Sequence, residues 1–190
     1  SEFHPVTIHF LSMSHTFSIL LIALVALTTG CSEVTFQESV PLNRKSLNAF
    51  PKAWHGVWTD TEGDLYTISG PGFESSDSET EPVLLSPSVL LKRFQGYLVL
   101  NQQQDNGRWE VLLAKRKKDR IFLFQFDSSN EASVAVWEAV LGASMEQASA
   151  PSVDVNRKTY VLSPENNFAL RQLILKGGLT EISTLTRTAD

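Results

Sequence analysis

The sequence predicts an α+β fold, predominantly an antiparallel β-sheet (a meander or partial barrel), with two short helices near residues 129–141 and 164–176. Three observations predict it. Consecutive β-type segments at 88–101, 108–115 and 121–127 are separated only by polar or charged turns, the pattern of hairpin after hairpin. Helical spacing of apolar residues begins only after residue 128. With 190 residues, 42% hydrophobic and 19% charged, the chain can bury a core and fits one domain comfortably.

The first segment is an address rather than a fold element. Phe17 to Leu27 reads FSILLIALVAL and is followed by Thr28, Thr29, Gly30 and Cys31. Its eleven residues make about 16 Å of helix, half a bilayer core, which suits the apolar stretch of a secretory signal. Met13 is a candidate start, which leaves residues 1–12 as upstream sequence. Leu27-Thr28-Thr29-Gly30-Cys31 resembles the lipobox of bacterial lipoprotein precursors in Gly30 and Cys31, and departs from it at Thr28 and in having no basic residue before Arg44.

That resemblance implies a signal peptide over 1–30, acylation of Cys31 with palmitate-type chains, a lipid-anchored tether over 31–49 and a single β-rich globular domain over 50–190. It implies a membrane-anchored lipoprotein of the cell envelope. Ser32 after the cysteine favours the outer membrane, on its periplasmic or surface face, in a Gram-negative cell.

Within 50–190, Trp58–Thr59 and Tyr66–Ile68 read as strands joined by an acidic turn, and Gly70-Pro71-Gly72 as a turn. Glu74 to Pro82 is an acidic loop. Phe122, Phe124 and Phe126 fall on one strand face and Ile121 and Leu123 on the other, so this strand is buried on both sides in mid-sheet. Ser128 and Glu131 form a capping box for the first helix, and Pro164 suits the first turn of the second, which Gly177-Gly178 ends. Residues 159–162 and 179–187 are β-prone, the latter a closing strand.

Chemistry-bearing residues are few. One cysteine excludes an internal disulfide and a cysteine-based zinc site, and the formal charge of -5 argues against a nucleic-acid partner. His55 is the one histidine after Cys31, so no nucleophile–base–orienter set can be assembled from paired histidines or a free thiol. We expect no cofactor, no metal, no catalytic residues and no enzyme activity. An enzyme would need a cleft joining His55 to Asp60 or Asp64. Asp60, Glu62 and Asp64 could offer oxygens to calcium, but a solvated turn explains them more simply.

Lys115, Arg116, Lys117, Lys118 and Arg120 crowd into a hairpin turn, a surface for an anionic partner if it is more than a solvated tip. Gly56-Val57-Trp58, with Trp54 just before it, resembles the G-x-W opening strand of calycins, the lipocalin and avidin superfamily. The resemblance implies that Trp54, Gly56 and Trp58 form a barrel base or core and that Arg187 stacks on Trp58. The domain layout also resembles small envelope lipoproteins that begin G-x-W. The function expected is a lipid-anchored, non-enzymatic binding or interaction module whose partners are the membrane, through Cys31, and an envelope protein or small ligand. The alternative is a calycin-like carrier of a small apolar ligand, which requires a closed sheet with an unfilled interior.

Overall fold

A computed structural model describes residues 34–77, 80–149 and 158–188. The signal segment, Met13 and Cys31 lie outside the described residues. In chain order the strands are β1 (Val34–Phe36), β2 (Gly56–Thr59), β3 (Leu65–Ile68), β4 (Gly72–Ser75), β5 (Val83–Leu84), β6 (Val89–Phe94), β7 (Tyr97–Gln103), β8 (Trp109–Lys117), β9 (Arg120–Gln125), β10 (Met145–Ser149), β11 (Lys158–Leu162) and β12 (Thr180–Arg187). The helices are α1 (Glu131–Leu141) and α2 (Asn167–Leu175). The fold is therefore α+β, mostly antiparallel sheet with two short helices, as the hairpin pattern predicts.

The strands join in the order β6-β7-β8-β9-β12-β2-β3-β4-β5, every neighbour antiparallel. The sheet curls far enough that Phe73 of β4 and Leu91 of β6 line one interior. It does not close, because no ladder joins β5 to β6. With every neighbour antiparallel, β5 and β6 run in the same direction, and the four residues 85–88 between them are too short for the crossover that a parallel pair needs, so this seam stays open. Residues 47–50 fill part of it. Leu47 bridges to Leu91, and the Phe50 amide donates to the Gly70 carbonyl at 2.8 Å.

Each β-strand has two faces, and here each face builds its own core. Leu98, Leu100, Ile121 and Leu185 point into the curl with Trp58 and Tyr66. The opposite face of the same strands presents Val99, Val111, Leu113 and Phe126 to α1, α2, β1 and β11. Trp137 of α1 is fully buried there; its indole donates to the Gly178 carbonyl at 2.7 Å and packs against Phe126 and Tyr160. Trp58 and Phe126 thus belong to two cores separated by the sheet, and not to one. Phe124 packs on the helical side as well.

The stretch expected as a tether is largely part of the body. Val34, Thr35 and Phe36 are buried, with β1 parallel to β11 and bridged to β8 at Phe36–Trp109. Pro41 does not break this strand because the strand has already ended. Beyond it the chain is held by side chains that imitate a neighbouring strand. Asn101, fully buried, accepts from the Val40 amide at 2.7 Å and donates to its carbonyl at 2.8 Å. Asn167 does the same for Leu42, at 2.8 and 2.9 Å. Lys92 donates to the Ser39 carbonyl and hydroxyl and to the Pro41 carbonyl, which satisfies all three of its N–H bonds. The globular body therefore starts at Val34 rather than at residue 50.

The helix starts also shift. Asn130, not Ser128, caps α1, its side chain accepting from the Ser133 amide. Asp127 instead binds the Ser129 amide and hydroxyl, which fixes the turn before the helix. Asn166 caps α2 through the Phe168 and Ala169 amides, so Pro164 lies ahead of the helix. In both places an asparagine two residues further on outcompeted the predicted start. Strand β10, between α1 and β11, had no clear period in the sequence; it forms by pairing along β11.

Candidate functional site

The base of the curl is built from the residues of the G-x-W segment. A 3-10 turn at Lys52–Trp54 leads into β2, and the Trp58 indole donates to the Trp54 carbonyl at 2.9 Å. Trp58 is fully buried under two cations. The Arg187 guanidinium lies 4.5 Å from its ring centroid and that of Arg116 lies 5.9 Å away. Arg187 also donates to the Ala53 carbonyl at 3.0 Å, tying β12 to the turn that precedes β2. Position 56 must be glycine for two reasons: its φ is +126°, and a Cβ there would sit 2.8 Å from an Arg187 guanidinium nitrogen. Trp54, Gly56, Trp58 and Arg187 are thus brought together as one plug.

Above the plug lies a cavity of about 80 Å³ with an almost wholly apolar lining, including Ile68, Leu100, Ala114 and Leu123. Ile182 reaches it where β12 is irregular in register between Glu181 and Ser183. The interior is small because Phe50, Trp54 and Leu91 occupy much of it. It is about half the roughly 150 Å³ that admits benzene in an engineered apolar cavity.

The cationic run does not act as one surface. Strand alternation sends Arg116 inward onto Trp58, where its buried Nε has no hydrogen-bond partner, and leaves Lys115, Lys117, Lys118 and Arg120 exposed. Lys115 sits over the Tyr97 ring at 5.1 Å. Lys117 pairs with Arg120 across a two-residue turn, Lys118–Asp119, in which Lys118 has φ +59°. On the far side, Arg120 faces Thr186 and Thr186 faces Thr59, next to the acidic turn that begins at Asp60. Two strand spacings, about 10 Å, separate them, one Debye length at moderate salt. The positive field is therefore strongest on the Lys115 side, away from that turn.

The remaining candidates have structural partners. His55 Nε2 is 2.9 Å from the Phe50 carbonyl. Asp60 accepts from the Glu62 and Asp64 amides, both at 2.9 Å, and from the Tyr66 hydroxyl at 3.4 Å. One Asp60 oxygen is thus committed to the turn, and no metal-holding group of acids and histidines occurs among the described residues. Strand β2 separates His55 from Asp60 by about 16 Å of extended chain, so the two do not meet. Burial, then the charges of Asp60 and Asp64, push the Tyr66 hydroxyl well above its ordinary range. No helix among the described residues is long and apolar enough to cross a membrane.

Sequence reading missed one cleft, which lies beside the plug and is lined by Arg44, Arg93, Trp54 and Tyr97. Arg44 and Arg93 are far apart in the sequence and belong to no motif, so only the fold could join them. No family model matches the chain, and no curated protein or solved structure is detectably similar to it.

Proposed function

We propose that this protein is a non-enzymatic binding module of the cell envelope, anchored through acylated Cys31, whose cationic end contacts an anionic surface. The observation that supports this reading most is the exposure of Lys115, Lys117, Lys118 and Arg120 on one projecting hairpin. The early start of the folded body adds to it. Three covalent steps separate Cys31 from Val34, a reach of roughly 10 Å at full extension. An anchor so close keeps the body against the bilayer, where cations near anionic lipid contribute about 1 kcal/mol each.

The test is vesicle flotation of the full chain carrying Cys31→Ser, which removes the anchor. The chain should float with anionic vesicles at low salt and not with neutral ones, and changing the four exposed cations to Ser should abolish flotation. Equal flotation of both forms would reduce the hairpin to a solvated turn. Acylation is checked separately with a fatty-acid analogue, which should label the wild-type chain and not Cys31→Ser.

The apolar interior favours a second reading, a calycin-like carrier of a small apolar ligand. At about 80 Å³ the cavity would have to widen, for instance at the β5–β6 seam. Tight, saturable binding of a neutral apolar probe, weakened by Leu100→Trp, would favour it over the surface reading.

A further inference from the structure

A cleft of about 530 Å³ opens at the base of the curl, between the 51–54 turn and the β6–β7 hairpin. Trp54 and Leu98 supply an apolar wall, the end of the β6–β7 hairpin (Phe94–Tyr97) closes one side, Arg44 and Arg93 supply charge, and no carboxylate is among its lining residues. Both arginines stand on fixed backbone. Arg93 lies in β6 opposite Leu98, next to the tight Gln95–Gly96 turn, whose residues have φ of 52° and 83°. Arg44 lies between Leu42, clamped by Asn167, and Leu47, bridged to Leu91. Both arginines line the same cleft.

Two arginines that line one concavity, with no carboxylate among its lining residues, give it a positive potential that attracts an anion. A guanidinium is also the side chain best shaped to grip a phosphate or carboxylate in two-pronged fashion. Trp54 and Leu98 line both this cleft and the interior cavity, so a ligand's apolar part would rest on side chains already fixed by the core.

We infer that this cleft binds a small organic anion, a phosphate or carboxylate on an aromatic or short apolar body. The anionic group sits between Arg44 and Arg93, and the body lies against Trp54 and Leu98. The inference goes beyond the membrane reading and stands without it, because neither arginine belongs to the hairpin tip.

Isothermal titration of the full chain with phenyl phosphate, inorganic phosphate and phenol tests it. Phenyl phosphate should bind saturably and about tenfold or more tighter than inorganic phosphate, with no saturable binding of phenol. Arg44→Gln and Arg93→Gln should each weaken phenyl phosphate by about tenfold, and Arg120→Gln by less than about twofold. Both arginines are exposed, so melting temperatures of the variants should stay at the wild-type value and separate lost binding from lost folding. Absence of saturable binding, or equal losses in Arg120→Gln and Arg93→Gln, would overturn the site. Displacement of the Cys31→Ser chain from phosphatidic-acid vesicles by phenyl phosphate would make the occupant a lipid headgroup and overturn the soluble-ligand assignment.

Discussion

The Arg187 guanidinium lies 4.5 Å from the centroid of the Trp58 ring and passes over Gly56, where a side chain would collide with it. The contact joins the last described strand to the second and holds both to the Ala53 carbonyl. The β12–β2 seam has two ladder pairs, extended by the Thr188 amide donating to the Val57 carbonyl at 3.0 Å and by the Thr59–Thr188 hydroxyl contact at 2.9 Å, and this stack adds to them.

Gly56→Ala should therefore destabilise the chain by about 1–3 kcal/mol, mainly through the positive φ, since the Arg187 tip can yield a little. Arg187→Ala should cost about 1–2 kcal/mol for the lost cation–π contact and hydrogen bond. Urea unfolding reads both. An unaltered midpoint in Gly56→Ala would mean that residue 56 does not hold the positive φ.

The two cores should behave as separate units. Trp58→Ala and Trp137→Ala should each cost about 3–5 kcal/mol. Smaller changes suit a double-mutant cycle better: Leu100→Val and Leu173→Val, one in each core, should add to within about 0.5 kcal/mol. A coupling well above 1 kcal/mol would join the cores into one.

Residues before 47 should be needed for folding. A chain that begins at residue 47 loses β1 and leaves Asn101, Asn167 and Lys92 without their partners. Circular dichroism should show no cooperative thermal transition. Even in the whole chain, Asn101→Leu should cost roughly 2–4 kcal/mol, since it strands the amide and carbonyl of Val40. A sharp melt of the shortened chain would restore the tether.

Stability should also carry a trace of Lys92. Burial pushes its ammonium below the ordinary value of 10.5, against an opposing pull from Glu38. Between the lowered folded value and 10.5 the unfolded chain binds more protons, so stability rises with pH across that window and the burial penalty is full below it. Tyr66 has the opposite sign: its folded hydroxyl keeps its proton above 10.0, so stability falls as pH climbs further. Denaturant titrations from neutrality up to pH 10 should show the rise in wild type and a flatter profile in Lys92→Met. Equal slopes would place the ammonium in water.

What could be read from the sequence was local. Alternation in Ile121–Phe126, the polar turns and the Gly70-Pro71-Gly72 reversal are short-range signals, and they were enough for β2, β3, β8, β9, β12 and the fold class, whereas 88–101 proved to be two strands turning at Gln95–Gly96 and the expected acidic loop begins inside β4. The G-x-W residues were legible because a glycine at one spacing from a tryptophan reports a backbone need, namely the close passage of Arg187. Periodicity cannot say what lies across a strand. Phe122, Phe124 and Phe126 announced a second buried face, yet only the packed α1 and β1 decided that this face was a different core from that of Trp58. Val34–Phe36 is too short to show a period, and its place between β11 and β8 depends on parallel pairing with residues more than a hundred positions away. Separations of 61 and 125 residues hid the Asn101 and Asn167 clamps, and Arg44 and Arg93 are likewise remote in the chain. Local chemistry sets what each segment can be, while contacts between remote segments form only when the whole chain has closed on itself, and the clefts are made of those contacts.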